Sequence, residues 1–95
     1  MKTDWEKLGF VLAGNYRSSI VKALSKGPKT PKDISLETGL YLSHISKTLG
    51  ELVDVEVVEC LTPNLRKGKL YALTHIGTEA AKYISGREGR EKESR

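Results

Sequence analysis

Arg66, Lys67 and Lys69 stand within four consecutive positions, inside the stretch LTPNLRKGKLYALT at residues 61–74. Cations this close repel one another, and a polyanion relieves that repulsion. Pro63, Asn64 and Gly68 supply turn chemistry at the centre of the stretch, between runs rich in Leu, Val, Tyr and Thr. The pattern predicts a β-hairpin with its densest positive charge at the tip. A lysine-rich tip also deters edge-to-edge strand pairing. Phosphate contact and edge protection are therefore both open readings of this charge.

A second set lies upstream. Ser43, His44 and Lys47 point largely away from Ile45, Leu49 and Leu52, which recur at helical spacing. Hydrogen-bonding side chains near a helix N-terminus suit base edges and phosphate oxygens. Lys47 fits guanine or a phosphate; Ser43 and His44 fit base edges or phosphate. Glu51 and Asp54 would repel a phosphate backbone, which confines contact to the first two turns. A solvated helix face is the plainer reading of SHISK taken alone. The basic hairpin and the helix-turn-helix pattern around it favour nucleic acid instead. Lys29 and Lys32, which flank the start of the preceding short helix and its cap Thr30, fit the same surface, since such a helix crosses the phosphate backbone.

Other chemistries are poorly supplied. The single cysteine, Cys60, excludes an intrachain disulfide framework and fits a reducing compartment. Cys60, His44 and His75 are the soft metal-ligand candidates. Cys60 has no Cys or His near it in sequence, and a small buried apolar role is simpler for it. No metal site and no cofactor are predicted. No carboxylate pair, Ser-His-Asp set or phosphate loop stands out, so no enzyme activity is predicted either. No apolar run approaches a membrane span, and the start of the chain lacks a signal-peptide pattern, which predicts a cytoplasmic protein.

The elements that must position these side chains follow from periodicity. Ninety-five residues suit one domain with a modest core. With 38% hydrophobic and 29% charged residues the chain reads as folded, and a net charge of +4 permits a nucleic-acid partner without demanding one. Thr3 and Glu6 form a capping signal for a helix carrying Trp5, Leu8, Val11 and Leu12 at helical spacing. Asn15 is suited to cap a second helix, with Tyr16, Ile20, Ala23 and Leu24 on one face and Gly27-Pro28 beyond its end. Thr30, Pro31 and Asp33 carry the start signals of a short helix that Gly39 ends. A longer helix runs from about Leu42 to Val53, with Leu42, Ile45, Leu49, Leu52 and Val53 as its apolar positions. VEVVECLT and KLYALT are β-rich. Thr74 caps a last helix with Ile76, Ala80, Tyr83 and Ile84 on one face.

The order is helix, helix, short helix, helix, hairpin, helix. It predicts an α+β, mainly α fold: a winged helix-turn-helix with a three-helix core, a β-hairpin wing and extra N- and C-terminal helices. Residues 1–86 form the domain, and 87–95, which hold no apolar residue, form a disordered charged tail. The terminal helices carry more apolar surface than the core needs, so Trp5, Leu8, Val11, Leu12, Ala80, Tyr83 and Ile84 are candidates for a homodimer interface.

From RSSIVKALSKGPKTPKDISLETGLYLSHISKTLGELV through VVECLTPNLRKGKLYALT, the chain resembles winged helix-turn-helix transcription regulators of the ArsR/MarR-like group, in particular small archaeal ones. The resemblance covers about residues 15–84. Its most specific pieces are LSHISKTLGEL and RKGKLYALT. It implies a homodimer on operator DNA, with Leu42, Ser43, His44, Ser46 and Lys47 presented to bases and phosphates and with Arg66, Lys67 and Lys69 on the wing, where the turn residue Asn64 is a further DNA-binding candidate. Three positions depart from the group's pattern. Tyr41 stands where a capping Ser or Thr is usual, and its ring can pack on sugar-phosphate. Glu56 stands where Gly is usual before the first wing strand, which predicts a looser or a strained helix stop. Ser35 and Thr38 stand where small or apolar residues are commoner, which predicts a lightly packed helix-turn-helix. Two other uses of the architecture stay open: a protein–protein interaction module and a chromosomal protein binding DNA with little sequence preference.

Overall fold

The computed structural model describes the backbone of residues 5–93 and the side chains of residues 5–86. Its elements are α1 (Trp5–Leu12), α2 (Asn15–Leu24), α3 (Pro31–Thr38), α4 (Leu42–Asp54), β1 (Val58–Cys60), β2 (Tyr71–Leu73) and α5 (His75–Glu93). The capping signal at Thr3 lies outside the described residues.

Local chemistry accounts for the start of α3. The Asp33 amide donates to Thr30 Oγ1 at 3.2 Å, and the Thr30 amide donates to Asp33 Oδ2 at 3.4 Å. With Pro31 at the first helical position, this reciprocal cap satisfies donors that would otherwise be orphaned and contributes about 1 kcal/mol. Gly39 closes the helix at φ 79°, a left-handed value that suits glycine. Ser35 and Thr38 are held by hydrogen bonds: Ser35 Oγ donates to the Leu40 carbonyl, Thr38 Oγ1 donates to the Ile34 carbonyl, and the Leu40 amide donates to Thr38 Oγ1. These bonds fix the turn between α3 and α4, and Ile34 alone supplies the fully buried side chain of α3.

The other helix starts are plainer. Asn15 is already helical, so it does not cap α2; that position falls to Gly14, which offers no side-chain bond. Tyr41 likewise precedes α4 without a side-chain cap. Thr74 caps α5 as its type predicts, accepting from the Gly77 amide at 3.2 Å.

The core joins Leu8 and Val11 of α1, Ile20, Val21 and Leu24 of α2, Ile34 of α3, Ile45, Leu49 and Leu52 of α4, and Ala80, Ala81 and Ile84 of α5, with Val57 and Val58 leading into the wing. Three expected core positions are exposed instead: Tyr16, Leu42 and Val53. Residues 41–44 are all exposed, so the first turn of α4 stands out of the core and carries Leu42 with it. Tyr16 turns toward that same protruding turn.

β1 and β2 pair antiparallel with Val58 opposite Leu73, Glu59 opposite Ala72 and Cys60 opposite Tyr71. The ladder is shorter than the alternating sequence predicts. Past it the Leu61 amide still donates to the Leu70 carbonyl, but the Leu70 amide donates to the Thr62 side chain at 2.9 Å rather than to backbone. On the other edge of β2, Lys29 and Tyr71 exchange both backbone bonds at 2.9 Å, tying the wing to the loop before α3.

Glu56, between α4 and β1, has φ 65°, the only positive φ at a non-glycine among the described residues. Of the looser and the strained stop that its side chain leaves open, this is the strained one. It is held on three sides. Its amide donates to the Val53 carbonyl, its carboxylate pairs with Lys7 Nζ at 2.8 Å, and Thr74 Oγ1 lies 2.6 Å from its carbonyl. At the other end, α5 extends to Glu93, into the charged segment 87–95. Arg, Glu and Lys dominate that segment and are good helix formers once a helix is under way. Residues 94–95 lie outside the described residues.

Candidate nucleic-acid interface

α3 and α4 form the helix-turn-helix, and the protruding start of α4 carries the polar set. Tyr41, Leu42, Ser43, His44, Ser46 and Lys47 are all exposed, while Ile45, Thr48 and Leu49 face inward. His44 does not project alone. Its ring stacks on Tyr16 of α2, with centroids 4.8 Å apart and planes inclined 29°, and it meets Tyr41 edge-on at 6.0 Å and 66°. A groove of about 590 Å³ runs between the start of α2 and α4, lined by Asn15, Tyr16, Arg17, His44, Lys47 and Glu51 among others.

Arg17 removes part of the repulsion expected from the acidic end of α4. Its Nε donates to Glu51 Oε1 at 3.3 Å and its Nη1 to the Phe10 carbonyl at 3.0 Å, with the guanidinium carbon 3.7 Å from the Phe10 ring centroid. One side chain thus joins α1, α2 and α4. Asp54, one turn further, stays exposed.

The cations divide into two groups. Lys29 pairs with Glu37 at 3.7 Å and Lys26 pairs with the same carboxylate at 3.1 Å. Lys32, Lys47, Arg66, Lys67 and Lys69 make no ion pair among the described residues. Thr30 is half-buried and committed to its cap, with Lys32 exposed beside it. On the wing, Asn64, Arg66 and Lys67 are exposed, Lys69 is half-buried, and Gly68 makes the turn at φ 66°. Leu61 and Leu65 are also exposed there, an apolar component that the charge pattern does not reveal.

The residues expected at a homodimer interface separate sharply. Leu8, Val11, Ala80 and Ile84 are buried in the chain's own core, where α1 and α2 meet α5, so their apolar area is already covered. Leu12 is half-buried. Trp5 remains 69% exposed and Tyr83 40%.

Cys60 is half-buried in β1 opposite Tyr71. Burial pushes the Tyr71 phenol above its usual 10.0, and Cys60 beside it adds to the shift. No group of three His, Cys, Asp or Glu side chains that could hold a metal occurs among the described residues. No helix among them is long and apolar enough to cross a membrane.

No protein-family model and no curated protein matches the sequence. Solved structures do match. Quinone-bound YodB from B. subtilis is 22% identical with a TM-score of 0.75, over 98% of this chain and 99% of that one; a further structure describes YodB as a transcriptional regulator. NMB1585, a MarR family regulator from Neisseria meningitidis, is 18% identical with a TM-score of 0.77, over 97% of this chain and 65% of that one. A ZitR mutant from Lactococcus lactis is 18% identical with a TM-score of 0.74 over 85% of this chain, which spans 56% of the ZitR chain. These likenesses lend no support to an archaeal type. They show the fold: five helices and a two-stranded hairpin in the winged helix-turn-helix arrangement.

Proposed function

We propose that the protein is a DNA-binding transcription regulator of the ArsR/MarR-like winged-helix group, without enzymatic activity, acting in the cytoplasm as a homodimer. α4 enters the major groove, and the wing lies on the backbone or in the minor groove. The supporting observation is the first two turns of α4. The first of these turns stands out of the core, and their outward face exposes Ser43, His44, Ser46 and Lys47 together, flanked by cations that have no acidic partner among the described residues. Proteins of the same fold, one described as a transcriptional regulator and one as a MarR family regulator, support the same reading. Exposed Leu36, Leu61 and Leu65 favour a second reading, a winged helix that docks on protein.

Binding titrations of Lys47→Ala and His44→Ala on a selected duplex and on scrambled DNA separate the two. A lost base contact costs about 1–3 kcal/mol of discrimination. Each variant is expected to weaken the selected site by that amount and to leave scrambled DNA closer to wild type. Equal losses on both DNAs would reduce these residues to backbone contacts. Wild-type protein that binds neither DNA would leave the protein-docking reading.

For the homodimer, Trp5 and Tyr83 are the exposed aromatic anchors. Sedimentation at micromolar concentration is expected to show a dimer for the wild type and a shift toward monomer for Trp5→Ala with Tyr83→Ala. A monomeric wild type that still selects a palindrome removes the dimer from the account.

A further inference from the structure

We propose that Tyr16, which lies outside the helix-turn-helix, is a positioning residue that presents His44 for base reading. The inference rests on α4 being the recognition helix. Helical spacing puts Tyr16 with Ile20, Ala23 and Leu24, yet those three are buried and Tyr16 is 44% exposed. Its ring is used elsewhere, stacked on His44 at 4.8 Å, while Tyr41 closes on the same imidazole edge-on. An exposed histidine on a helix otherwise samples several rotamers, and binding DNA would have to freeze one of them. Contact with two rings from two directions restricts both side-chain torsions before DNA arrives. Stacking occupies the face of the imidazole and leaves its edge, where the nitrogens are. No hydrogen bond engages those nitrogens among the described residues, so the edge is available to a base. The other charged groups along this side of α4 are Lys47, one turn on, and Glu51, already paired with Arg17. α2 therefore supplies the platform on which α4 reads, and a side chain that meets no base in this scheme contributes to sequence preference.

The test compares Tyr16→Ala, Tyr16→Phe, His44→Ala and the Tyr16→Ala/His44→Ala double variant, each checked for unchanged helix content. Affinities are measured on a selected duplex and on scrambled DNA. Tyr16→Ala is expected to lower the ratio of the two affinities roughly three- to tenfold, the cost of ordering one side chain on binding. Tyr16→Phe, which keeps the ring, is expected to restore it. The double variant is expected to be no worse than His44→Ala alone. A wild-type ratio for Tyr16→Ala, equal losses on both DNAs, or additive losses would overturn the proposal while leaving α4 as the reader. A second measurement needs no DNA. The His44 ring protons should be displaced by ring current in wild type and Tyr16→Phe, and should lose that displacement in Tyr16→Ala. His44 resonances that do not move on removing Tyr16 would overturn the positioning role directly. A wild type with no preference between the DNAs would remove both the reader and its platform.

Discussion

Gly77→Ala is expected to destabilise the domain by about 3 kcal/mol or more, at the top of the range for overpacking. Gly77 is buried in the first turn of α5, where the helix passes directly over the start of the wing. A Cβ there would lie 2.1 Å from the Val57 carbonyl oxygen and 3.0 Å from Leu73 Cδ2. The leucine can yield, but the carbonyl cannot. Val57 O already accepts from the Thr74 amide at 3.1 Å, and Thr74 in turn caps α5 through the Gly77 amide. Making room for one methyl would pull the helix off both its cap and its strand. Helix propensity alone argues the other way, since alanine favours a helix interior over glycine by about 1 kcal/mol. The sign of the change therefore separates the contact from the propensity. Gly50→Ala is the control: it is also helical, and a Cβ there meets nothing within 4 Å. Urea unfolding followed by circular dichroism should show Gly50→Ala at or above wild-type stability and Gly77→Ala far below it. Equal stabilities would mean that α5 does not press on Val57 as described.

Replacing Arg66, Lys67 and Lys69 together by Ala is expected to flatten the salt dependence of DNA binding. Each phosphate neutralised contributes about −0.9 to the slope of log K against log salt, so the triple variant should lose roughly two to three units of slope per wing engaged. Affinity should fall by a similar factor on selected and random DNA, because backbone contacts carry little sequence information. None of the three cations has an acidic partner among the described residues, so their removal orphans no carboxylate there. Arg66 and Lys67 are exposed on the loop, while Lys69, with its long apolar stem, is half-buried. A thermal melt of the triple variant checks that this stem is dispensable. An unchanged slope would assign the charge to protecting the strand edge, and the hairpin would drop out of the DNA surface.

What could be read from sequence was what local chemistry determines. Thr30, Pro31, Asp33 and Gly39 bound α3 through contacts within a few residues of one another, and Ile45, Leu49 and Leu52 mark the inner face of α4 by period alone. The exposed polar face of α4 follows from the same period. Glu56 in the glycine position pointed to a looser or a strained stop, and its positive φ makes it the strained one. Features that depend on a distant partner were not legible. Nothing local announces that Arg17 will meet Glu51, 34 residues away, or that Tyr16 will leave its apolar stripe to stack on His44. The Lys29–Tyr71 bridge and the close pass of Gly77 over Val57 are likewise tertiary. The homodimer candidates show the limit of counting apolar residues. Leu8, Val11, Ala80 and Ile84 have the right type for an interface, but the chain covers them itself.

The central claim is that α4 reads DNA sequence and that two copies read it together. Selection of bound duplexes from a random DNA pool by the full chain, at low and at moderate salt, tests it most directly. The account predicts enrichment of an inverted repeat whose half-sites lie about one DNA turn, roughly 34–36 Å, apart or a multiple of it. It also predicts that Lys47→Ala weakens that enrichment. A retained pool indistinguishable from the input, or no DNA retained even at low salt, would contradict it.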